Sequence, residues 1–190
     1  MKKSSAVAGA VRGWSAILVL VVIPVASAWA QDADLLMVVG RTEVGTTAQG
    51  PWVSATVRQK LNAGNFIRTL EGSQVALLLR DQTQVRLNQN SVLEIRGLQT
   101  SEQATSLSLL QGRLWAQVKQ LSIGTLRAVT GVVGRQQVRI ATPTATIGIR
   151  GTDWELVVGE RGTTVTVFSG EVEMSNELGQ VAVGPNEQGV

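Results

Sequence analysis

Apolar side chains fall at every second position of this chain in short runs, and a turn residue closes each run after roughly 8–12 residues. Val75, Leu77 and Leu79 share one face of such a run, Val85 and Leu87 the next, and Trp154, Leu156 and Val158 another. Successive strand side chains point to opposite faces, so this period buries one face of a sheet and leaves the other wet. Helical periodicity is scarce. The pattern predicts an all-β domain, an antiparallel sandwich of jelly-roll type. A β-solenoid-like coil is the alternative, because the turns recur about every ten residues without a fixed side-chain register.

The expected strands follow from that rhythm. Leu35 to Val39 is the first, after a short leader from Gln31 to Asp34, and Val53, Ala55 and Val57 line a second. Gln59 to Thr69 reads as a connection with a short strand at Phe66 to Arg68. Strands over 75–79, 85–87 and 92–95 come next, then a loop from Gly97 to Gln103. Thr105 to Leu110, a turn at Gln111-Gly112 and Arg113 to Lys119 read as a hairpin, with Leu114, Ala116 and Val118 on one face and Trp115, Gln117 and Lys119 on the other. Gln120 to Arg135, with Gly124, Gly131 and Gly134, reads as a flexible excursion or loose hairpin, and a short helix is the competing assignment. Beyond Val138 the alternation returns, with turns at Gly159 to Gly162, Ser169-Gly170, Asn176 to Gly179 and Gly184 to Asn186.

The first thirty residues stand apart. Lys2, Lys3 and Arg12 precede an apolar run from Ala16 to Val25, and Ala28-Trp29-Ala30 is a small-x-small site before Gln31. Such a run is short of the roughly 20 residues of a spanning helix, so residues 1–30 read as a secretory signal cut between Ala30 and Gln31; a retained anchor is the alternative. This implies export to the periplasm, with no membrane span after cleavage. The organisation expected is a signal over 1–30, N-terminal strands over 31–60 and the main β-domain over 61–187. All 14 acidic residues follow Ala30 but three of the 17 basic ones precede it, so the remainder carries 14 of each. A formally neutral chain with singly spaced arginines is not a nucleic-acid binder.

The chain has no Cys, His or Tyr. That removes disulfides, thiolate metal sites and the usual general base, and it implies no cofactor and no enzyme. Asp153 with Glu155, and Glu171 with Glu173, share strand faces as acid/base or Ca²⁺ pairs would, but alternation with Trp154, Leu156, Val172 and Met174 accounts for them as solvated positions. Serine chemistry would need Lys60 or Lys119 as its base.

The segment from Ala141 to Trp154 is the most distinctive. Thr142-Pro143 ends a strand, small residues follow, and Arg150-Gly151-Thr152 leads to Trp154. This order resembles the signature of the FecR-domain family, periplasmic sensory domains named after a regulator of ferric-citrate uptake. The likeness extends from Leu61 to Glu187. It takes in Leu61 to Thr69, Gly72 to Leu77, Gln84 to Leu87 with Ser91 to Leu93, Leu107 to Trp115, and Thr166 to Val172. The resemblance implies a non-catalytic binding or sensory module in envelope signalling, linked to iron uptake, that meets a protein in the periplasm or outer membrane. Regulatory members begin with a cytoplasmic sigma-binding segment, for which the dozen or so residues before the apolar run are too few. A structural envelope component that binds peptidoglycan or an outer-membrane protein is the alternative, and with it a glycan partner. Within the motif, Gly151 reads as a φ > 0 turn and Arg150 as a clamp on a neighbouring loop, or else as a partner contact. Trp115, on a polar face, reads either as a surface anchor or as a ring packed beneath a loop.

Overall fold

Fourteen strands run through the described residues. The computed structural model describes residues 33–80, 82–97, 105–117 and 138–190, excepting the side chains at 150 and 151. In chain order the strands are β1 (Ala33–Val39), β2 (Thr42–Gly45), β3 (Trp52–Ser54), β4 (Lys60–Leu61), β5 (Phe66–Thr69), β6 (Gln74–Leu79) and β7 (Gln84–Leu87). They continue as β8 (Ser91–Gly97), β9 (Thr105–Gln117), β10 (Val138–Ala141), β11 (Thr146–Gly159), β12 (Gly162–Asn176), β13 (Gly179–Val183) and β14 (Gln188–Gly189). No helix occurs among the described residues. All-β is the fold class found.

The strands form one hydrogen-bonded sheet that folds over into two layers, because its three longest members belong to both. The first half of β9 pairs with β8 and, in parallel, with β10; its second half pairs with β7 and β11. β11 and β12 divide in the same way, their register shifting between Arg150 and Asp153. One layer therefore runs β4, β1, β6, β7, β9, β11, β12, β14, and the facing layer β3, β2, β5, β8, β9, β10, β11, β12, β13. The antiparallel expectation holds for every pairing except β9 with β10. Alternating side chains of both layers meet in a single core, including Leu35, Leu77, Ile95, Leu107, Leu114, Ile147, Trp154 and Leu156. Each fully buried aliphatic side chain contributes about 1.5–3 kcal/mol of transfer free energy.

Two crossing segments link the two layers at their edges. Residues 52–61 pair first with β2 and then with β1, stitched by Ala55 N–H to Thr42 C=O at 2.9 Å and Arg58 N–H to Leu35 C=O at 2.8 Å. Residues 179–189 pair with the two halves of β12 on the other side.

Several sequence expectations are corrected here. Gln111-Gly112 and Ser169-Gly170 are not hairpin turns, and Arg150-Gly151-Thr152 does not separate two strands; each lies inside a continuous strand, where it lets that strand pass between layers. The strand expected through Val57 stops at Ser54, and Val53 and Val57 are exposed because the segment leaves β2 to cross the edge. Ala33 and Asp34 belong to β1 rather than to a leader. Val118, Lys119, the loop after Gly97 and the excursion over 120–135 fall wholly or mainly outside the described residues, as does the signal over 1–30.

β2 has no counterpart among the expected strands, and it brings a charge into the sheet. Glu43, 6% exposed, receives Arg68 Nε–H on Oε2 at 2.6 Å and Arg41 Nε–H on Oε1 at 3.1 Å, while the Arg68 guanidinium lies 4.3 Å from the centre of the Trp52 ring. The Arg68 hydrogen bond holds the Glu43 carboxyl below its ordinary value against the opposing effect of burial, and Arg41 adds to the lowering. A depressed carboxyl stabilises the fold above its unfolded pKa and loses that contribution as pH falls through the folded value. The urea midpoint of the wild type is expected to exceed that of Glu43→Gln most near neutral pH, with the gap closing below about pH 4. A gap that stays constant down to acid pH would contradict this assignment.

Candidate recognition surface

The motif expected to mark a site does not gather in one place. Thr142 and Pro143 form the β10–β11 turn at one end of the sandwich, whereas Arg150, Gly151 and Thr152 lie at the other, separated by a strand of roughly 16 Å. Thr142 is bonded inward: its N–H and Oγ1–H both point to Ala145 C=O, at 2.8 and 3.0 Å, and its Oγ1 accepts Ala145 N–H at 3.0 Å. Thr163, from the facing layer, lies 2.7 Å from Thr142 Oγ1 and 2.6 Å from Thr144 Oγ1 through its own hydroxyl. This hydroxyl cluster ties the Thr-Pro turn to the β11–β12 hairpin across the two layers. Sequence reasoning does not single out Thr163, since one more Thr in a Thr-rich strand carries no signal.

At the other end Trp154 enters the core with no exposed surface, flanked by Ala116 of β9 and Val167 of β12. Thr152 Oγ1, Asp153 Oδ1 and Trp154 Nε1 are buried atoms without a hydrogen-bond partner among the described residues. The side-chain surroundings of Arg150 and the conformation of Gly151 lie outside what the structure describes.

Trp115 sits elsewhere, on the outer face of the first layer and half-buried. It stands in a cross-strand row of Ala76, Arg86, Trp115, Glu155, Thr166 and Gln188, each directly opposite the next. The Arg86 guanidinium lies 5.0 Å from the centre of its ring, and Arg113, one pair along β9, reaches Glu155 at 3.6 Å. Among the described residues, the Arg86 guanidinium is what lies over the Trp115 ring. A half-buried indole between a cation and an anion has the composition of an interface anchor. The carboxylates Asp153 and Glu155 share this outer face, while Glu171 and Glu173 lie on β12 in the other layer, so the two pairs do not converge.

A cleft runs along the strand corners. Ser73, Gln74, Asn88, Gln89, Asn90, Gly112 and Arg113 line it, with Val157 and Val158 as its apolar wall. Its amide and hydroxyl groups can exchange hydrogen bonds with sugar hydroxyls, though Gln89 already accepts Gly72 N–H at 2.7 Å. Among the described residues no group of three or more acidic, His or Cys side chains could hold a metal ion, and no helix is long and apolar enough to cross a membrane.

A family model described as FecR protein matches residues 65–173. Two crystal structures of a "putative anti-sigma factor" from Parabacteroides distasonis ATCC 8503, at 1.65 and 2.50 Å resolution, superpose with a TM-score of 0.53 each. They are 21% and 19% identical to the chain, covering 65% of it and 52% of themselves. The chain thus spans about half the length of these solved proteins, and at that identity the likeness speaks for the fold. No curated protein matches the chain significantly.

Proposed function

The chain belongs to the FecR protein family, and from that premise we propose that it is an exported, non-catalytic recognition module of envelope signalling. It works by protein contact, in the periplasm or against an outer-membrane protein, and iron-uptake regulation is the process the family name suggests. The description of the solved neighbours as a putative anti-sigma factor supports regulation through a protein partner rather than through turnover. Export rests on the basic, apolar and small-residue succession of residues 1–30.

The observation that carries the reading is the row around Trp115. A strand face in contact with water alone has little use for an indole ring beside a paired Arg113 and Glu155, whereas interface cores are enriched in Trp and Arg. Trp115→Ala is expected to shift thermal stability by no more than about 1 kcal/mol, the range of surface substitutions with modest contacts, and to reduce recovery of a TonB-dependent receptor or sensor kinase from envelope extract about tenfold or more. Equal recovery by wild type and Trp115→Ala would move the contact off this face. Mass spectrometry of the mature N-terminus, beginning at Gln31 if cleavage is right, tests the location.

The amide-lined cleft favours a second reading, a structural envelope component that holds peptidoglycan. Co-sedimentation with purified cell wall, lost on Gln74→Ala with Asn88→Ala, would select it over the first.

A further inference from the structure

β13 leaves the second layer with an open edge. It pairs with β12 from Val172↔Val183 to Asn176↔Gly179 without a register shift, and no described strand lies on its other side. Natural edge strands are usually blunted by lysine, proline, a bulge or an inward charge. Gly179-Gln180-Val181-Ala182-Val183 carries none of these. Val181 is 52% exposed at this edge and Leu178, just before it, 95% exposed.

The β12–β13 hairpin itself carries charge of one sign, while on the neighbouring strands Arg150 stands opposite Glu171 and Arg139 lies across Gly148 from Glu173. From Gly162 to Val190 there is no Lys or Arg, but there are Glu171, Glu173, Glu177 and Glu187. None of the four forms an ion pair among the described residues, whereas Asp34, Glu43, Glu94 and Glu155 each do. Glu173 stands directly opposite Ala182 on the outer face, and Met174 opposite Val181 on the inner.

We propose that the β13 edge takes up an extended segment of a partner protein in which basic side chains alternate with apolar ones. Backbone N–H and C=O groups of the added strand complete the ladder, as in other cases of strand addition. Apolar side chains of that strand cover Val181 on the inner side. On the outer side, Glu173 lies two strand spacings, about 10 Å, from the added strand, and only the methyl group of Ala182 stands between. A long Arg or Lys side chain laid across Ala182 reaches the carboxylate. Self-pairing of two copies would supply no cation to Glu173, which would lie three strand spacings, about 14 Å, from its counterpart. The Trp115 surface lies on the opposite layer, so this inference stands apart from the function proposed above.

The test uses the full chain and an octapeptide of alternating Arg and Val, with a Glu and Val octapeptide as control. The basic peptide is expected to bind, to slow hydrogen exchange of the backbone amides over 179–183, and to weaken with added salt; the acidic control does none of these. Glu173→Lys is expected to lower affinity for the basic peptide about tenfold and raise it for the acidic one. Val181→Asn lowers binding of the basic peptide, with circular dichroism and urea unfolding confirming that both variants fold. Binding without amide protection over 179–183, equal binding of the two peptides, or a homodimer in ultracentrifugation whose interface protects this edge would each overturn the proposal.

Discussion

Gly112→Ala is expected to destabilise the protein by about 3 kcal/mol or more, enough to leave much of a marginally stable domain unfolded. Gly112 has φ +96°, a region closed to L side chains. A Cβ there would overlap Ser91 Oγ and stand 2.5 Å from the Ser91 Cα and 2.6 Å from its Cβ. The α-carbon of Ser91 is part of the backbone, so no rotamer change relieves the clash. Gly72→Ala separates the two effects: φ is again positive, at +65°, but nothing lies within 4 Å, so only about 1 kcal/mol of conformational strain is expected. Urea unfolding of the two variants measures the difference. Equal losses would mean that the corner yields and that the close approach to Ser91 is unimportant.

That approach belongs to a device the chain uses twice. Ser91 Oγ accepts Arg113 N–H at 2.9 Å and donates to Gln89 C=O at 3.2 Å. Ser73 Oγ likewise accepts Arg41 N–H at 2.8 Å and donates to Glu71 C=O at 3.2 Å, while Gly40, at φ +68°, would place a Cβ 2.6 Å from that oxygen. In both places a Gly-Arg step turns the chain, between β1 and β2 at Gly40 and within β9 at Gly112, and a serine preceded by a left-handed residue (Gly72 or Asn90) stands just before or at the start of another strand. The hydroxyl occupies the space a side chain on the glycine would need and satisfies the amide that the bend would otherwise leave unpaired. Two of the corners that carry the chain between layers are built from this pairing.

Much of the core was legible from residues because burial follows period two wherever strands are long. Leu77, Leu79, Val85, Leu87, Leu156, Val165 and Val172 are inward as the alternation requires. The turns at Gly159 to Gly162, Asn176 to Gly179 and Gly184 to Asn186 fall as expected, but the corners inside β9, β11 and β12 were not legible, for a geometric reason. A two-residue hairpin at Gln111-Gly112 would pair Leu109 with Leu114 and put both on one face. A bulged corner at the same place also leaves both inward, as the structure does. The same holds for Ile149 and Thr152 about Arg150-Gly151, and for Val167 and Val172 about Ser169-Gly170. Only the distant partners decide between the two, and those are set by tertiary pairing. β2 escaped notice because Thr42, Glu43, Val44 and Gly45 contain a single large apolar residue; the inward Thr42 and the paired Glu43 do not look like a strand in isolation. Of the candidate surface, Trp115 on a polar face was readable from parity. Its neighbours Arg86 and Glu155, from β7 and β11, were not.

Trp154→Ala is expected to be the other large loss, about 3–5 kcal/mol, the usual range for removing a buried Trp or Phe. Among the described residues Trp154 is the one aromatic ring of the buried core, and its neighbours across the strands are Ala116 and Val167, too small to close the space it leaves. Sheet pairing on both sides holds β11 in place, so the cavity cannot collapse by strand movement. Trp154→Phe is the informative companion. It keeps most of the ring and removes an indole N–H that no described residue accepts, so its cost should fall well below half that of the alanine variant. Thermal and urea unfolding of the pair give the two numbers. If Trp154→Phe proved as damaging as Trp154→Ala, the indole nitrogen would have to hold the end of the sandwich together, and Trp154 would belong with Thr163 and Ser91 among its polar fastenings rather than in the apolar core.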